Sequence, residues 1–451
     1  MLLSGKGLKH DFVQFVSATV ASQVVFSLYS MVDGLMVSLG VNEYAMSAVN
    51  LAIPFTNALF SIAVLFAVGS STLIAIAIAQ DKRHEANTLF SQNFATLLIL
   101  GAVITAAFSA FLRPILFFFG ATDATIVYAA EYARIYVLGT VFVMLALGMN
   151  YFINAQGFAG TGMLTVAVGA VINIVLDPIF IFALDMGIAG AAWATFISQA
   201  CSAAWVLCFL LGKKAILKLR LRCMRLRWSV LGKMLALGIT GFVMQFTNGV
   251  VQIACNVELR AFGGDLFVGA MTVLNSVREV LFMIIHGLSN GAQPVLGFNY
   301  GAGKPDRVRQ GVRFMTAAAF AYAALATAVT QLFPAQLTMV FNDDPALLAI
   351  CEKAMRIYFC AFLPMSFQVA GQCVFVALGR AKQAIIFSVL RKVVIVTPLI
   401  FLLPRIPALG VYGVFWSEPI SDIIGGAACY ITMYFTVYRP LGRAERKETG
   451  A

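Results

Sequence analysis

The sequence predicts an all-α integral membrane protein with twelve transmembrane helices in two pseudo-symmetric bundles of six. Three observations support this fold class. Hydrophobic residues make up 61% of the 451 residues and charged residues only 11%, whereas soluble domains carry about 25% charged residues. The mean hydropathy is +0.90. The chain also contains twelve long apolar runs, and its second half repeats its first.

Each apolar run reaches the length of about 20 residues that a helix needs to cross the hydrocarbon layer. The runs do not alternate between polar and apolar residues as barrel strands would, so helices are the predicted spanning form. No cleavage-site pattern accompanies the first run, which is therefore expected to be retained. The predicted spans are, in order, residues 12–38, 46–78, 88–111, 126–153, 163–184, 188–211, 231–259, 267–297, 311–333, 348–377, 383–403 and 410–437.

The distribution of basic residues predicts the orientation of the chain. Most of the 31 Lys and Arg residues fall at the N-terminus, in the C-terminal tail, or in loops that join an even-numbered span to the next one (2 to 3, 6 to 7, 8 to 9 and 10 to 11). Both termini are therefore expected in the cytoplasm, and the spans in the plasma (inner) membrane of a prokaryote. The loop 212–233 carries eight basic residues and no acidic one. It is interpreted as a linker that contacts anionic lipids, not nucleic acid, between an N-lobe (1–211) and a C-lobe (234–451).

The two halves of the sequence match at an offset of 222 to 223 residues. The clearest match pairs GIAGAAWATFIS at 187–198 with GVYGVFWSEPIS at 410–421. Because six helices are an even number, both copies have the same orientation and are related by an axis along the membrane normal. Parallel repeats of this kind are one architecture of secondary transporters, in which one bundle rocks against the other.

The segment NIVLDPIF (173–180) places polar residues in an apolar run. A charge at the centre of a bilayer costs about 3 kcal/mol or more, so a carboxylate there is interpreted as a functional site. Asn173 and Asp177 are four residues apart and share one helix face. Pro178 donates no backbone hydrogen bond, which leaves the Ile174 carbonyl free and favours a kink. An amide, a carboxylate and a free carbonyl within one turn suit Na+ or a shared proton.

A second acid, Asp33, lies late in the first span, four residues after Tyr29. Two carboxylates on two helices of one lobe suggest a pair, and because buried carboxylates repel each other, one is expected to hold a proton near neutral pH. Two structural interpretations stay open: Asp177 caps a helix kink, and Asp33 lies in the outer headgroup layer. In the second half, the residues that correspond to Asp33, Asn173 and Asp177 are Cys255, Ile395 and Leu399. None of them is acidic, so the site is predicted in the N-lobe alone.

The C-lobe has acids of its own. Glu418 and Asp422 are four residues apart on the last helix, and carboxylates in an apolar cavity suit a lipophilic cation. Alternatively, these acids form ion pairs with Arg391 or Lys392 near the cytoplasmic side. Glu279 on the eighth helix is a further candidate substrate contact.

No motif of an enzyme is present. The sequence lacks HExxH, the phosphate loop GxxxxGK[ST] and any Cys or His cluster that metal catalysis needs. Without a nucleotide-binding loop, transport has to be driven by an ion gradient, and no cofactor is expected. An intramembrane enzyme acting on lipid-linked substrates would need an array of catalytic carboxylates or histidines, which two isolated acids do not supply.

Three segments resemble the multidrug and toxic compound extrusion (MATE) transporters of the multidrug/oligosaccharidyl-lipid/polysaccharide flippase superfamily. They are VDGLMVSLGVNEYAMSAVNLAIPF, NAQGFAGTGMLTVAVGAVINIVLDPIFIFALDMGIAGAAWATFISQ and QPVLGFNYGAGK. The resemblance implies a V-shaped twelve-helix fold, a central cavity and a monomer in contact with membrane lipids. It also implies export of small organic cations, driven by inward flow of H+ or Na+. The alternative is a lipid-linked oligosaccharide flippase or another lipid-precursor flippase of the same superfamily. Oligosaccharide flippases tend to line the cavity with arginines, whereas the basic residues here cluster in loops.

The resemblance also implies functional residues. In relatives coupled to H+ or Na+, the acid of the first helix and the NxxxD motif of the fifth form an N-lobe cation site, helped by the fourth and sixth helices. The matching residues, to which spacing adds Tyr29, are Asp33, Asn150, Asn173, Asp177 and Thr195. Na+, if it is the ion, would bind at Asp33, Asn173 and Asp177. Other relatives bind sodium through an acid of helix seven, where this chain has Gln245 and Asn248 instead. This difference argues against a C-lobe sodium site of that type. Gln245 and Asn248 are therefore treated as candidate substrate contacts.

Overall fold

The computed structural model describes residues 8–40, 43–118, 126–220, 223–225, 227–341 and 344–442. Within the helices, side chains are described except at 8, 9, 30, 31, 33–35, 37–40, 43–58, 118, 240, 244–246 and 265. The described part of the chain is helical and contains no β-strand. The all-α fold class that the composition predicts is therefore confirmed.

Eight α-helices of the described chain precede the linker. Their bounds are α1 Leu8–Gly40, α2 Glu43–Ala79, α3 Arg83–Ala110, α4 Leu112–Phe118, α5 Ile126–Leu138, α6 Thr140–Ala155, α7 Ala159–Pro178 and α8 Gly187–Leu211. A π-helical turn at Ile179–Ala183 continues α7.

The α-helices described after the linker are α9 Trp228–Gly263, α10 Asp265–Gly301, α11 Pro305–Leu332, α12 Pro334–Met339, α13 Pro345–Tyr358, α14 Phe362–Ala377, α15 Ala381–Val389, α16 Thr397–Leu402 and α17 Tyr412–Met433. A π-helical segment at Leu390–Val396 joins α15 to α16. A second one at Tyr434–Tyr438 extends α17.

Ten helices of the described chain are long and apolar enough to cross a membrane, and two further spans are bent pairs. α5 meets α6 at 50°, and α13 meets α14 at 50°. Counting each pair as one span gives twelve, the predicted number. The sequence shows both pairs as unbroken runs because apolar composition continues through each bend. The backbone turns there with i to i−3 hydrogen bonds, from Gly139 N–H to Tyr136 O and from Cys360 N–H to Ile357 O.

The chain divides into two compact units. Residues 17–238 form the first unit, and residues 239–442 together with 8–16 form the second. The two boundaries, 16/17 and 238/239, are 222 residues apart, which is the offset of the sequence repeat. The first turns of α1 thus belong to the unit built mainly from the second half, where Phe12 packs edge-on against Phe314 at 5.3 Å. The start of α9, up to residue 238, belongs in turn to the first unit, and we call this the exchange of helix starts. The predicted lobes follow the order of the chain and do not include it.

Each unit has its own apolar core. In the first unit, Phe90 and Phe152 pack edge-on with ring centroids 5.6 Å apart. On the outside, Val171, Ile253 and Leu325 are among many large apolar side chains that are more than half exposed. Exposure of apolar surface on this scale to water is unfavourable, so these side chains are suited to contact lipid tails.

The repeat is visible in the backbone as well as in the sequence. A Cβ atom added at Gly190 of α8 would lie 2.8 Å from the Phe180 carbonyl oxygen. One added at Gly413 of α17 would lie 2.7 Å from the Leu403 carbonyl oxygen. Only glycine allows this approach between a helix and the turn before it. The GxxG pattern shared by the two halves therefore closes the same turn in both.

The linker lies along the first unit, held by polar side chains. The backbone N–H groups of Ile216 and Leu217 donate to Gln156 Oε1 at 2.8 and 2.9 Å. The N–H of Lys218 donates to Asn87 Oδ1 at 2.8 Å. Amide side chains therefore satisfy the backbone of an irregular segment whose own composition predicts no helix.

Replacing Gln156 with Ala removes the acceptor of two backbone hydrogen bonds, so the linker should open more often. We expect trypsin to cleave at Lys218 or Arg220 about fivefold faster, the factor that about 1 kcal/mol of local stability produces. Limited proteolysis of the purified protein measures this rate. Gln80→Ala, an exposed position at the end of α2, is the control and should leave cleavage unchanged. Equal cleavage of both variants would show that Gln156 does not hold the linker.

The start of α9 packs against α2 without a side chain between the backbones. A Cβ atom at Gly238 would lie 1.5 Å from the Leu65 carbonyl oxygen. Gly238→Ala should therefore force the helices apart at a cost of about 1–3 kcal/mol or more. We expect a lower thermal midpoint of the detergent-solubilised protein. Gly232→Ala is the matched control on the same helix, because a Cβ there meets nothing within 4 Å. Equal midpoints would refute the close approach.

Candidate functional site

The predicted N-lobe pair lies in the last two turns of α7. Asn173 and Asp177 are both buried, with 0% of each residue exposed. Asn173 Nδ2 donates a hydrogen bond to Asp177 Oδ1 at 3.3 Å. The spacing of four residues thus places the amide and the carboxylate on one helix face.

A hydroxyl from α8 joins this pair. Asn173 Nδ2 lies 3.5 Å from Oγ1 of the buried Thr195. Asn173 Oδ1 accepts no hydrogen bond from the described residues, although buried polar atoms normally have a partner. The N-lobe group of Asn173, Asp177 and Thr195 therefore offers amide, carboxylate and hydroxyl oxygens away from water. Such a set of oxygens suits a proton or a hard cation such as Na+.

The helix changes its geometry directly after the N-lobe group. α7 ends at Pro178 and continues as a π-helical turn, within which Leu184 N–H donates to Ile179 O at 2.9 Å. The sequence predicts a kink at this proline, and the structure has a widened turn there. π-helical turns are rare and occur frequently at functional sites.

Of the three other predicted cation-site residues, the structure describes the side chains of Tyr29 and Asn150. The side chain of Asp33 lies outside the described residues. Tyr29 packs edge-on against a phenylalanine of α1, with ring centroids 5.9 Å apart. Asn150 of α6 faces Gly162 of α7, because a Cβ there would lie 2.9 Å from Asn150 Oδ1. Gly162 precedes Asn173 by about 16 Å along α7, so the geometry does not bring Asn150 to the N-lobe group.

The predicted C-lobe acids lie in a buried network of charges. Lys392 Nζ donates to Glu418 Oε1 at 2.5 Å. Arg391 forms an ion pair with Asp422 and lies 3.6 Å from Glu418 Oε2. Glu418 and Asp422 are only 4% and 7% exposed. Of the two interpretations left open by the sequence, the structure thus shows the ion pairs.

The sequence interpretation expects these ion pairs near the cytoplasmic side, and their basic residues lie inside a span, away from its two ends. Arg391 and Lys392 are ten and eleven residues beyond the start of the span Ala381–Arg405. Basic residues near a helix end usually reach the headgroup layer, which is the reason for that expectation. Here their partners on α17 hold them inside the unit.

Arg278 of α10 belongs to the same network, although the sequence pattern does not single it out. Its Nη1 donates to Tyr358 Oη at 2.9 Å and lies 3.9 Å from Glu418 Oε1. Its guanidinium carbon lies 5.0 Å from the centroid of the Phe282 ring. The available signal was an arginine within an apolar run, since a charge in a span requires a partner.

Of the three remaining candidate substrate contacts, the structure describes the side chains of Glu279 and Asn248. Glu279 is exposed on α10. Asn248 of α9 has a buried Oδ1 with no hydrogen bond from the described residues, and the side chain of Gln245 lies outside them. No group of three or more His, Cys, Asp or Glu side chains that could hold a metal ion occurs in the described part of the chain.

One member of the polar group of each unit occupies an equivalent place in the repeat. Thr195 and Glu418 match at an offset of 223 residues. In the first unit, Thr195 contacts Asn173 on the preceding helix. In the second, Glu418 contacts Lys392 on the preceding π-helical segment. The shared scaffold therefore places a buried polar contact between the last two spans of each half, and the residues that make it differ.

Comparisons with known proteins agree with the repeat. A family model described as MatE matches residues 18–179 and again 241–402. A multidrug export protein MepA of Staphylococcus haemolyticus is 25% identical to this chain, over 88% of the chain and 86% of its own length. One from Staphylococcus aureus (strain NCTC 8325 / PS 47) is 21% identical, over 95% of the chain and 93% of its own length.

Solved structures share the fold. A multidrug resistance MATE family transporter of the MOP superfamily, in its outward-facing conformation, matches with a TM-score of 0.91 and 23% identity over 98% of both chains. A MOP superfamily transporter from Pyrococcus furiosus matches with a TM-score of 0.90 and 22% identity over 98% of both chains. For that protein, a reversed polarity of the binding pocket is reported to suggest a different function. These matches confirm the fold implied by the sequence resemblance.

Proposed function

Because the chain belongs to the MatE family, we propose that it is an ion-coupled antiporter that exports small organic compounds across the plasma membrane. The observation that carries this proposal is the N-lobe group, in which a fully buried carboxylate lies beside an amide and a hydroxyl. A carboxylate in an apolar span needs a proton or a cation. The N-lobe group is therefore the proposed site of the coupling ion, H+ or Na+.

Coupling requires that the ion and the exported compound favour different states of the protein, since a ligand shifts an equilibrium only by its differential affinity. In this proposal, binding of the ion at Asp177 changes the packing of α7 and its π-helical turn against α8. The two lobes then alternate between inward and outward access. The termini are proposed to be cytoplasmic, and a single chain to be the transport unit.

Lipophilic organic cations are the proposed substrates, extended from the relatives named multidrug export proteins. Glu418 and Asp422 already have basic partners. A cationic substrate would reach them only by displacing Arg391 or Lys392, which costs a buried ion pair. We assign to Asp177, which lies in the N-lobe group, the negative charge for which the cation and the coupling ion compete.

Efflux of ethidium from preloaded cells tests this proposal, with cells that lack the protein as the baseline. External Na+ is replaced by choline at fixed pH, and the proton gradient is then collapsed at fixed Na+. One of the two treatments should stop efflux and thereby identify the coupling ion. Efflux that survives both treatments would contradict ion-coupled antiport.

A further inference from the structure

One arginine of the second unit lies inside a span without an acidic partner. Arg313 comes eight residues after the first residue of the span Pro305–Leu332, about 12 Å along the helix. Its side chain is exposed, and no carboxylate of the described chain lies within 4 Å of it. The buried basic groups of the same unit, by contrast, pair with acids in the C-lobe charge network. This network consists of Arg278, Arg391, Lys392, Glu418 and Asp422.

A tyrosine after the last helix fixes the Arg313 side chain. Arg313 Nε donates a hydrogen bond to Tyr438 Oη, and its guanidinium carbon lies 5.8 Å from the centroid of the Tyr438 ring. That ring stacks on the ring of Tyr434, with centroids 5.5 Å apart. The two Nη groups of Arg313 make no hydrogen bond to the described residues. Arg313 is therefore held in position with its four outer N–H groups directed away from protein partners.

Further positive charge surrounds the same tyrosine. The guanidinium carbon of Arg309, one helical turn before Arg313, lies 4.8 Å from the centroid of the Tyr438 ring. The exposed Arg439 is the next residue after Tyr438. Positive charges gathered this closely attract an anion. We call Arg309, Arg313, Tyr438 and Arg439 the arginine-tyrosine cluster.

An apolar groove continues from this cluster into the span. α14 packs against both α11 and α17, and its Phe367 contacts Phe320 of α11 at 5.8 Å and Tyr430 of α17 at 5.1 Å between ring centroids. Phe320 comes seven residues after Arg313, and Tyr430 comes eight residues before Tyr438. The three rings therefore lie about 10–12 Å deeper in the span than the cluster. Phe320 is 41% exposed and the other two rings are half-buried, so the groove is open to the surface of the unit.

We propose that the arginine-tyrosine cluster and this groove bind one anionic phospholipid, with its phosphate on Arg313 and an acyl chain along Phe320, Phe367 and Tyr430. A guanidinium matches phosphate oxygens with two parallel hydrogen bonds. Basic pockets between spanning helices at the membrane surface are suited to anionic headgroups. A free phosphate would meet the same charge but would leave the apolar groove empty, so we commit to the lipid. This inference concerns a partner of the protein and goes beyond the proposed export function.

The test compares two lipids that differ only in the headgroup beyond the phosphate. Native mass spectrometry of the purified, delipidated full-length protein measures the binding of the first molecule of dioleoyl phosphatidylglycerol or dioleoyl phosphatidylcholine. We expect phosphatidylglycerol to bind about fivefold more tightly, the factor that one basic residue near the membrane surface contributes. Glycerol 3-phosphate at about ten times the lipid concentration should not displace the lipid, because it has no acyl chain for the groove.

Three variants separate a specific site from general attraction by positive charge. Arg313→Gln should remove most of the preference for phosphatidylglycerol. Lys382→Gln is the matched control, because it removes an exposed charge at the start of α15 in the same unit, and it should keep the preference. Tyr438→Phe keeps the ring and the net charge but removes the acceptor that fixes Arg313. It should lower the preference about twofold. Gel filtration verifies that each variant is a single species.

Equal affinity for the two lipids would overturn the inference, as would an equal loss of preference in Lys382→Gln and Arg313→Gln. Displacement of the lipid by glycerol 3-phosphate would assign the cluster to a free phosphate. A dimer that dissociates in Arg313→Gln would assign the groove to a second copy of the chain. Either of these results would also overturn the inference. The measurement does not involve efflux, so its outcome is independent of the test of ion-coupled export.

Discussion

Ethidium efflux by the Asp177→Asn variant should be about tenfold slower or absent at equal expression, because an amide holds neither a proton nor a metal cation as a carboxylate does. The substitution keeps the shape of the side chain, so the packing of α7 against α8 should be preserved. Gel filtration of the solubilised variant verifies the fold, and the initial rate of efflux from preloaded cells measures the effect.

Asp185→Asn is the matched control for this experiment. Asp185 lies in the same lobe, is exposed, and has a φ of 51°, a backbone conformation that Asn accepts as readily as Asp. This variant should export ethidium at the normal rate. Normal efflux by Asp177→Asn would show that the coupling ion does not bind at the N-lobe group.

Glu418→Gln should strongly destabilise the protein. It leaves three buried basic groups with Asp422 as their one acidic partner in the described network. Removing one member of a buried ion pair costs about 3–5 kcal/mol, because the remaining charge has no compensation. We expect a low yield of folded protein and a thermal midpoint well below that of the unchanged protein, measured in detergent. The double variant Glu418→Gln/Lys392→Met should recover part of the loss.

Glu352→Gln is the control for this second prediction. Glu352 pairs with Arg356 at 3.0 Å on the exposed surface of α13, and exposed pairs contribute about 0–1 kcal/mol. The thermal midpoint of Glu352→Gln should therefore be nearly unchanged. If Glu418→Gln were as stable as Glu352→Gln, the charges of the C-lobe network would not be arranged as described.

Local spacing was sufficient to predict the contact between Asn173 and Asp177. Residues four apart in a helix share a face whatever the rest of the chain does, and the structure shows their hydrogen bond. Thr195 came from the family resemblance, and α8 brings it within 3.5 Å of Asn173. The number of spans followed from the length of the apolar runs.

The composition of the C-lobe charge network could not be read from the sequence in the same way. Arg278, Tyr358 and Glu418 come from α10, α13 and α17, and they meet only because these helices pack together. Their ion pairing was also hidden, because a basic residue in an apolar run is compatible with either a headgroup or an internal partner. The bend at Gly139 was missed because it changes hydrogen bonding and not hydropathy.

The exchange of helix starts also limits the order in which the protein can be completed during synthesis. Phe12 leaves the ribosome about 300 residues before the ring of Phe314 on which it packs. At about 5–20 residues per second, that wait lasts on the order of 15–60 s. The first unit is also completed late, because Gly238, whose backbone packs on Leu65, follows the linker in the sequence. Neither half of the chain is thus a self-sufficient folding unit, and each lobe matures only after the opening turns of the other half have been made.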